Sequence, residues 1–257
     1  MTALDALRHA VEPLADRRHL ATAGLVTAFA LVGAPFEWLL KPLARQFRLD
    51  NPQIAYPYAA EHVPAPLLAF LVVVLPIGAL VLSGAASARF RRHSAVSLLG
   101  FALSLTATFF VCNVLKFLIG NQRPDFLARC MPKPGISKDV YVTVEAVCTN
   151  PDMGSVWEGC RSTPSGHSAL SFASMGFLTL WLGATFEVER RPRSARLAAL
   201  LPMALAVFVA YTRIIDHKHH WVDVIGGGLL GGATAYVSYF YAVQDSKPEK
   251  SVQYSPV

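Results

Sequence analysis

The feature that most constrains this chain is a succession of six long apolar blocks. Leu20–Phe36, Val63–Ala86, Ala95–Ile119, Ser168–Phe186, Leu197–Ile215 and Val222–Val243 each approach or exceed the roughly 17–25 residues a helix needs to cross a bilayer. They leave no room for a sizeable second domain among 257 residues. Hiding six such helices in a soluble protein would take far more polar sequence than is present. Only 16% of the residues are charged, against about 25% in a soluble domain. The expected fold is all-α, a polytopic membrane protein with six transmembrane helices. It divides into a polar N-terminal segment 1–19, a six-span domain 20–243 with one long extramembrane loop at 120–167, and a polar tail 244–257. The first block reads as a retained span, because no small-x-small cleavage site follows it before Glu37 and Trp38.

Six spans put both termini on one side. Arg17 and Arg18, then Arg89, Arg91 and Arg92, then Arg190, Arg191, Arg193 and Arg196 fall in short stretches on that side, so it is read as cytoplasmic. The opposite side, lumen or exterior, carries the 120–167 loop with Cys130, Cys148 and Cys160. An oxidising side suits a disulfide among the three, and the sequence leaves open which one stays unpaired. Cys112, inside the third block, reads as an apolar filler. No C-x-x-C or H-x-x-x-H spacing points to zinc. The net charge of +6 reflects arginines beside the membrane rather than a basic stripe interleaved with aromatics, which excludes nucleic acid. IAYPYAAEHVP, residues 54–64, suits an interfacial anchor better than a substrate contact. GGGLLGGA, residues 226–233, reads as a surface for tight helix packing.

Three polar stretches interrupt the apolar pattern. YTRIIDHKHHWVD, Tyr211–Asp223, sets an arginine, three histidines and two aspartates between two apolar blocks, where ionisable groups are costly and suggest function. If a helix starts after Lys218, His219 and Asp223 share a face at i and i+4, and the carboxylate holds a ring N–H. His220, at i+3 from Asp223, is the rival. NVLKFLIGNQRPDF holds Lys116 within the apolar run and Arg123 seven residues on, with Pro124 ending the helix. A lone lysine there would snorkel to the interface, but the pairing with Arg123 argues for a shared task. RSTPSGHSALSF opens the fourth block: Pro164, Ser165 and Gly166 leave free N–H groups at a helix start, a phosphate cradle, and His167 beside them is a candidate proton donor. Alternating spans put all three stretches on one membrane face. Their cations suit a dianion and the membrane suits an amphiphile; a lipid with a phosphate head is both.

KFLIGNQRP, TPSGH and TRIIDHKHHWVD resemble the Lys-x6-Arg-Pro, Pro-Ser-Gly-His and Ser-Arg-x5-His-x3-Asp elements of the type 2 phosphatidic acid phosphatases (PAP2), with Thr212 in place of the serine. The wider wording is most similar to eukaryotic lipid phosphate phosphatases, and among them to the fungal enzymes acting on phosphatidate and diacylglycerol pyrophosphate. The resemblance implies a helical core like that of the haloperoxidases and a phosphomonoester hydrolase that needs neither metal nor cofactor. It implies His219 as the nucleophile that forms a phosphohistidine, with Asp223 orienting it. His167 would protonate the leaving lipid alkoxide. Lys116, Arg123, Arg213, Pro124, the Ser165 hydroxyl and the Gly166 amide would hold the phosphate. Asp216 and His217 match no position of the motif and read as loop polar groups. A head-group phosphotransferase using the same phosphohistidine is the alternative, and a phosphatase-like scaffold or transporter a third reading. The implied partners are a membrane phospholipid such as phosphatidate, lysophosphatidate or diacylglycerol pyrophosphate, and the bilayer. A homo-oligomer is left open, as is the choice among endomembrane, vacuolar and plasma membrane.

Overall fold

A computed structural model describes residues 17–86 and 88–243. Most of the expected polar head and all of the tail 244–257 lie outside the described residues. Six long helices follow the six apolar blocks: α1, Arg17–Trp38; α2, running without a break through Ala65–Ala69, Phe70–Val74 and Leu75–Ala86; α3, Ala88–Ile119; α4, Gly166–Val188; α5, Leu201–Ile215, led in by a short helix at Arg193–Ala198; and α6, Trp221–Ala242. Five spans, all but α6, are long and apolar enough to cross a membrane. At 22 residues α6 is equally long, but its glycines, hydroxyls and tyrosines dilute its hydropathy. The chain is a multi-pass integral membrane protein. One boundary differs from expectation: the basic stretch Arg89–Arg92 is helical backbone of α3 rather than a turn, since arginine continues a helix readily beyond the apolar limit.

The centre of the bundle is the contact of α6 with α4. A Cβ on Gly227 would fall 2.5 Å from the Ser165 carbonyl oxygen, and one on Gly231 2.1 Å from that of Ala169. The two backbones touch at the glycines, the close approach that small residues permit between membrane helices. Ser165 N–H donates to the Asp223 carbonyl at 2.9 Å, which fastens the start of α4 to the start of α6. Hydroxyls stitch the neighbours together: Ser104 of α3 donates to the Ala173 carbonyl at 3.2 Å, and Thr108 meets Thr234 of α6. Pro76, having no N–H, leaves the carbonyl four residues back without its helical partner. That carbonyl, of Val72 in the widened turn Phe70–Val74, accepts from Ser174 of α4 at 2.7 Å.

α1 leans on α3 through the ring pairs Phe29–Phe110 and Phe36–Phe117. Its last carbonyls, Phe36 and Glu37, accept from the Arg161 guanidinium. The face of α1 turned toward α2 stays open and borders the cavity described below.

Above the bundle, the 120–165 stretch builds a small apolar core of its own from Phe126, Cys130, Val144, Val147, Val156 and Cys160, joined by Phe47 and Ile54. A two-residue antiparallel ladder pairs Phe47–Arg48 with Tyr141–Val142. The open question of pairing has an answer here: Cys130 and Cys148 form the disulfide, and Cys160 stays a buried thiol. Burial pushes that thiol up to about 12, so it remains neutral.

Candidate active site

Where this 120–165 cap meets the bundle, a cavity of about 1180 Å³ opens. Its polar end is lined by Lys116, Arg123, Gly166, His167, Arg213 and His219. From there it continues along Ala30 and Ala34 of α1, Leu68 and Val72 of α2, and Leu105 and Phe109 of α3. The three polar stretches, spread along about a hundred residues of sequence, thus meet at the mouth of an apolar channel.

His219 is buried, at 4% exposure. Its Nδ1 lies 2.8 Å from the Ser162 carbonyl oxygen. A carbonyl only accepts, so Nδ1 carries the proton and Nε2 keeps its lone pair. Burial, followed by the Arg123 and Lys116 charges and by His167, drives the imidazole well below its ordinary value, which keeps it neutral. The expected direct bond to Asp223 is not formed, Asp223 Oδ2 standing 3.9 Å from Nδ1. The reason is the helix start: α6 begins at Trp221 with His220 as its N-cap, so His219 precedes the helix and the i, i+4 geometry does not apply. Asp223 instead accepts from the His220 backbone N–H at 2.9 Å, from the Ser162 hydroxyl at 2.6 Å, and from Thr163.

His220, the rival, is turned away from the cavity. Nδ1 donates to Asp223 at 3.2 Å and Nε2 to the Gln53 carbonyl at 3.0 Å. Both partners only accept, so the two contacts favour the doubly protonated ring. The Asp223 bond is the main cause that raises this imidazole above its usual range. His167 lines the cavity, and its Nε2 donates to the Val63 carbonyl at 3.0 Å.

Lys116, from the last turn of α3, is 7% exposed and turns into the cavity rather than toward the interface. Gly166 makes room for it: a Cβ there would come within 3.2 Å of the ammonium. Arg123 pairs with Glu158, while its Nε is buried without a partner. Burial alone would raise the Glu158 carboxyl, but Arg123, Lys116, Arg161 and Arg129 outweigh it and hold the group below its usual range. Arg213 bonds Asp216 at 2.8 Å and Glu61 at 3.0 Å. Ser165 and Pro124 stand behind the cavity wall. The Ser165 hydroxyl caps α4 by accepting from Ser168 N–H, and the Pro124 carbonyl accepts from Tyr56 N–H at 3.0 Å.

Several polar residues around the cavity were not legible from the motifs. Asp216, read as a loop group, is 1% exposed and binds both Arg213 and His62. Its position three residues after Arg213, on the same helical face, was the available signal. His217 adopts φ 54°, and this left-handed turn after α5 sends Lys218 and His219 inward. The 54–64 segment is not a simple anchor. Glu61 holds Arg213, the His62 N–H donates to Asp216 at 3.0 Å, and the Val63 carbonyl holds His167. The Tyr58 ring lies 3.8 Å below the Lys218 ammonium. Lys218 also bonds Asp125 at 2.9 Å, deep in the protein, where Arg129 shares the carboxylate. Burial works to raise Asp125, and the Arg129 and Lys218 contacts more than reverse it. Among the described residues no group of three or more His, Cys, Asp or Glu side chains is placed to hold a metal ion.

A sequence profile described as the PAP2 superfamily matches residues 97–247, the stretch that contains all three polar elements. The chain is 37% identical over 220 residues to diacylglycerol pyrophosphate phosphatase 1 of Saccharomyces cerevisiae, covering 82% of this chain and 76% of that protein. It is 36% identical over 222 residues to the probable diacylglycerol pyrophosphate phosphatase 1 of Schizosaccharomyces pombe, covering 84% and 78%. Lipid phosphate phosphatase 2 of Arabidopsis thaliana is 34% identical over 189 residues, covering 72% and 64%. No solved structure matches the chain. Motif residues gathered at one cavity, a profile over more than half the chain and relatives this similar along most of it lead to one conclusion: the chain belongs to the PAP2 superfamily.

Proposed function

We propose that this protein is an integral-membrane lipid phosphate phosphatase that removes phosphomonoester head groups through a phosphohistidine on His219. The observation that carries the reading is the shape of one cavity, with four cations (Lys116, Arg123, Arg213 and Lys218) and two histidines at one end and an apolar channel between α1, α2 and α3 at the other. A phosphate at the polar end leaves its acyl chains in the channel. The relatives named as lipid phosphate and diacylglycerol pyrophosphate phosphatases favour phosphatidate, lysophosphatidate and diacylglycerol pyrophosphate as substrates.

In the proposed reaction the His219 Nε2 lone pair attacks phosphorus while the bond to the lipid oxygen breaks. Lys116, Arg123 and Arg213 stabilise the charge on the transferring phosphoryl oxygens. The Gly166 amide, at the N-terminus of α4, adds its dipole. His167, carrying both ring protons once the phosphate dianion is bound, gives its Nε2 proton to the leaving alkoxide, exchanging the Val63 carbonyl for the lipid oxygen, and is left neutral. Water then attacks the phosphohistidine as the bond from phosphorus to His219 Nε2 breaks, the neutral His167 takes the water proton, and inorganic phosphate leaves with the His219 lone pair restored. Asp223 acts through Ser162 by fixing the orientation of the His219 ring. Purified protein given head-group-labelled phosphatidate and a candidate acceptor alcohol tests the reading. Free phosphate supports hydrolysis, and a new phosphodiester identifies a transferase instead.

The proposed orientation places this site on the lumenal or exterior face and both termini in the cytoplasm. The Cys130–Cys148 disulfide beside the site supports an oxidising side. An engineered cysteine at exposed Lys138 should react with an impermeant reagent only after sealed microsomes are permeabilised. Reaction from the cytosolic face of intact microsomes would reverse the orientation.

A further inference from the structure

Two carboxylates occupy the cations of the phosphate site, and neither belongs to the three motifs. Glu61 Oε2 lies 3.0 Å from Arg213 and 3.9 Å from His167 Nε2. Glu158 pairs with Arg123, on the cavity side of a short helix, Met153–Glu158, in the cap. Both line the cavity. Glu61 is not needed to keep its arginine compensated in the manner of a buried structural pair. Arg213 already has Asp216 at 2.8 Å, with both partners 1% exposed. By contrast the Glu61 side chain is 28% exposed and that of Glu158 41%, and both sit on connecting segments outside the long helices. Lys116 has no carboxylate bonded to it among the described residues. A phosphate oxygen seeking Arg123 or Arg213 meets a carboxylate already there.

Resting on the phosphatase reading above, we propose that Glu61 and Glu158 are displaceable anions that select a phosphomonoester dianion over the singly charged phosphodiesters of the surrounding bilayer. A ligand entering the site must replace two charge-assisted contacts, which are the stronger class of hydrogen bond. A phosphomonoester carries a charge of about −1.5 to −2 near neutral pH with three acceptor oxygens. It can therefore serve Arg123, Arg213 and Lys116 at once. A phosphodiester brings one charge and two free oxygens, and displacing both carboxylates leaves it short of compensation. The selection matters because phosphodiester lipids surround the channel in excess, with the same acyl chains. Specificity here comes from a competing contact as much as from an attractive one.

The test measures binding of inorganic phosphate and of phosphatidylglycerol, a singly charged phosphodiester, to the full-length protein in neutral detergent micelles. Wild type, Glu61→Gln, Glu158→Gln and the double variant are compared by calorimetry. Each glutamine substitution should tighten phosphate binding by about tenfold, the effect of removing one competing charged contact. The double variant should also take up phosphatidylglycerol that the wild type excludes. Unchanged or weaker phosphate binding in the variants, with phosphatidylglycerol still excluded, overturns the proposal while leaving the phosphate site intact. A wild type blind to phosphate overturns the phosphatase reading itself. Should a glutamine variant fail to remain monodisperse, Glu61→Asp and Glu158→Asp keep the charge and withdraw it by one methylene. Those variants should then bind phosphate more tightly than wild type, and binding no tighter than wild type overturns the proposal equally.

Discussion

The Ser162 carbonyl oxygen accepts from His219 Nδ1 at 2.8 Å while the Ser162 hydroxyl donates to Asp223 at 2.6 Å. One residue thus joins the two that the motif places four apart. The carboxylate acts on the imidazole through the backbone of Ser162, and the ring is left with its free lone pair at Nε2.

Removing the hydroxyl should loosen this link without touching the cations. Ser162→Ala is expected to lower kcat about tenfold, and Asp223→Asn by about a hundredfold, the range for groups that orient a reacting side chain. KM should change little in either. Steady-state kinetics on phosphatidate in mixed micelles measures both, and a raised KM with unchanged kcat would assign Ser162 to binding instead.

His220 predicts a pH-dependent stability. Its imidazole is raised above the ordinary value by Asp223, so the folded state favours the charged ring. That contribution is complete below the usual imidazole range, about pH 6.5, and is lost as pH rises through the raised value. The thermal midpoint of wild type should exceed that of His220→Gln most at about pH 5.5–6 and converge with it in alkaline buffer. A difference constant with pH would contradict the charged assignment.

The glycines of α6 offer an internal control. Gly231→Ala drives a methyl into the Ala169 carbonyl, whereas a Cβ added at Gly232 would meet nothing within 4 Å. Gly231→Ala should destabilise by roughly 1–3 kcal/mol, the cost of overpacking, and Gly232→Ala should stay within about 0.5 kcal/mol of wild type. Heating followed by size-exclusion chromatography reads the difference, and equal losses at the two positions would contradict the packing described.

Much of this was legible in the sequence because membrane crossing and phosphate binding each impose local patterns. Apolar length gave α1 to α6 with edges displaced by a few residues. Lys116, Arg123, Gly166, His167, Arg213 and His219 all reach the cavity, as their spacing on successive spans required. What failed was the part that depends on where a helix starts: with His220 rather than Lys218 before the first turn, Asp223 points at Ser162. What stayed hidden was long-range. Glu61 lies 152 residues from Arg213, Asp125 93 from Lys218, and the strap 54–64 holds His167 from 104 residues away. No periodicity announces such contacts; only the folded packing of the loop against the bundle brings them together.

In the proposed reaction His219 takes the phosphoryl group. Rapid acid-free quenching of the purified protein with head-group-radiolabelled phosphatidate, followed by peptide mapping, measures it directly. An acid-labile, base-stable label is expected on the peptide bearing His219, and neither label nor phosphate release in a folded His219→Ala variant. Label on another residue, or substantial turnover by His219→Ala, would contradict it.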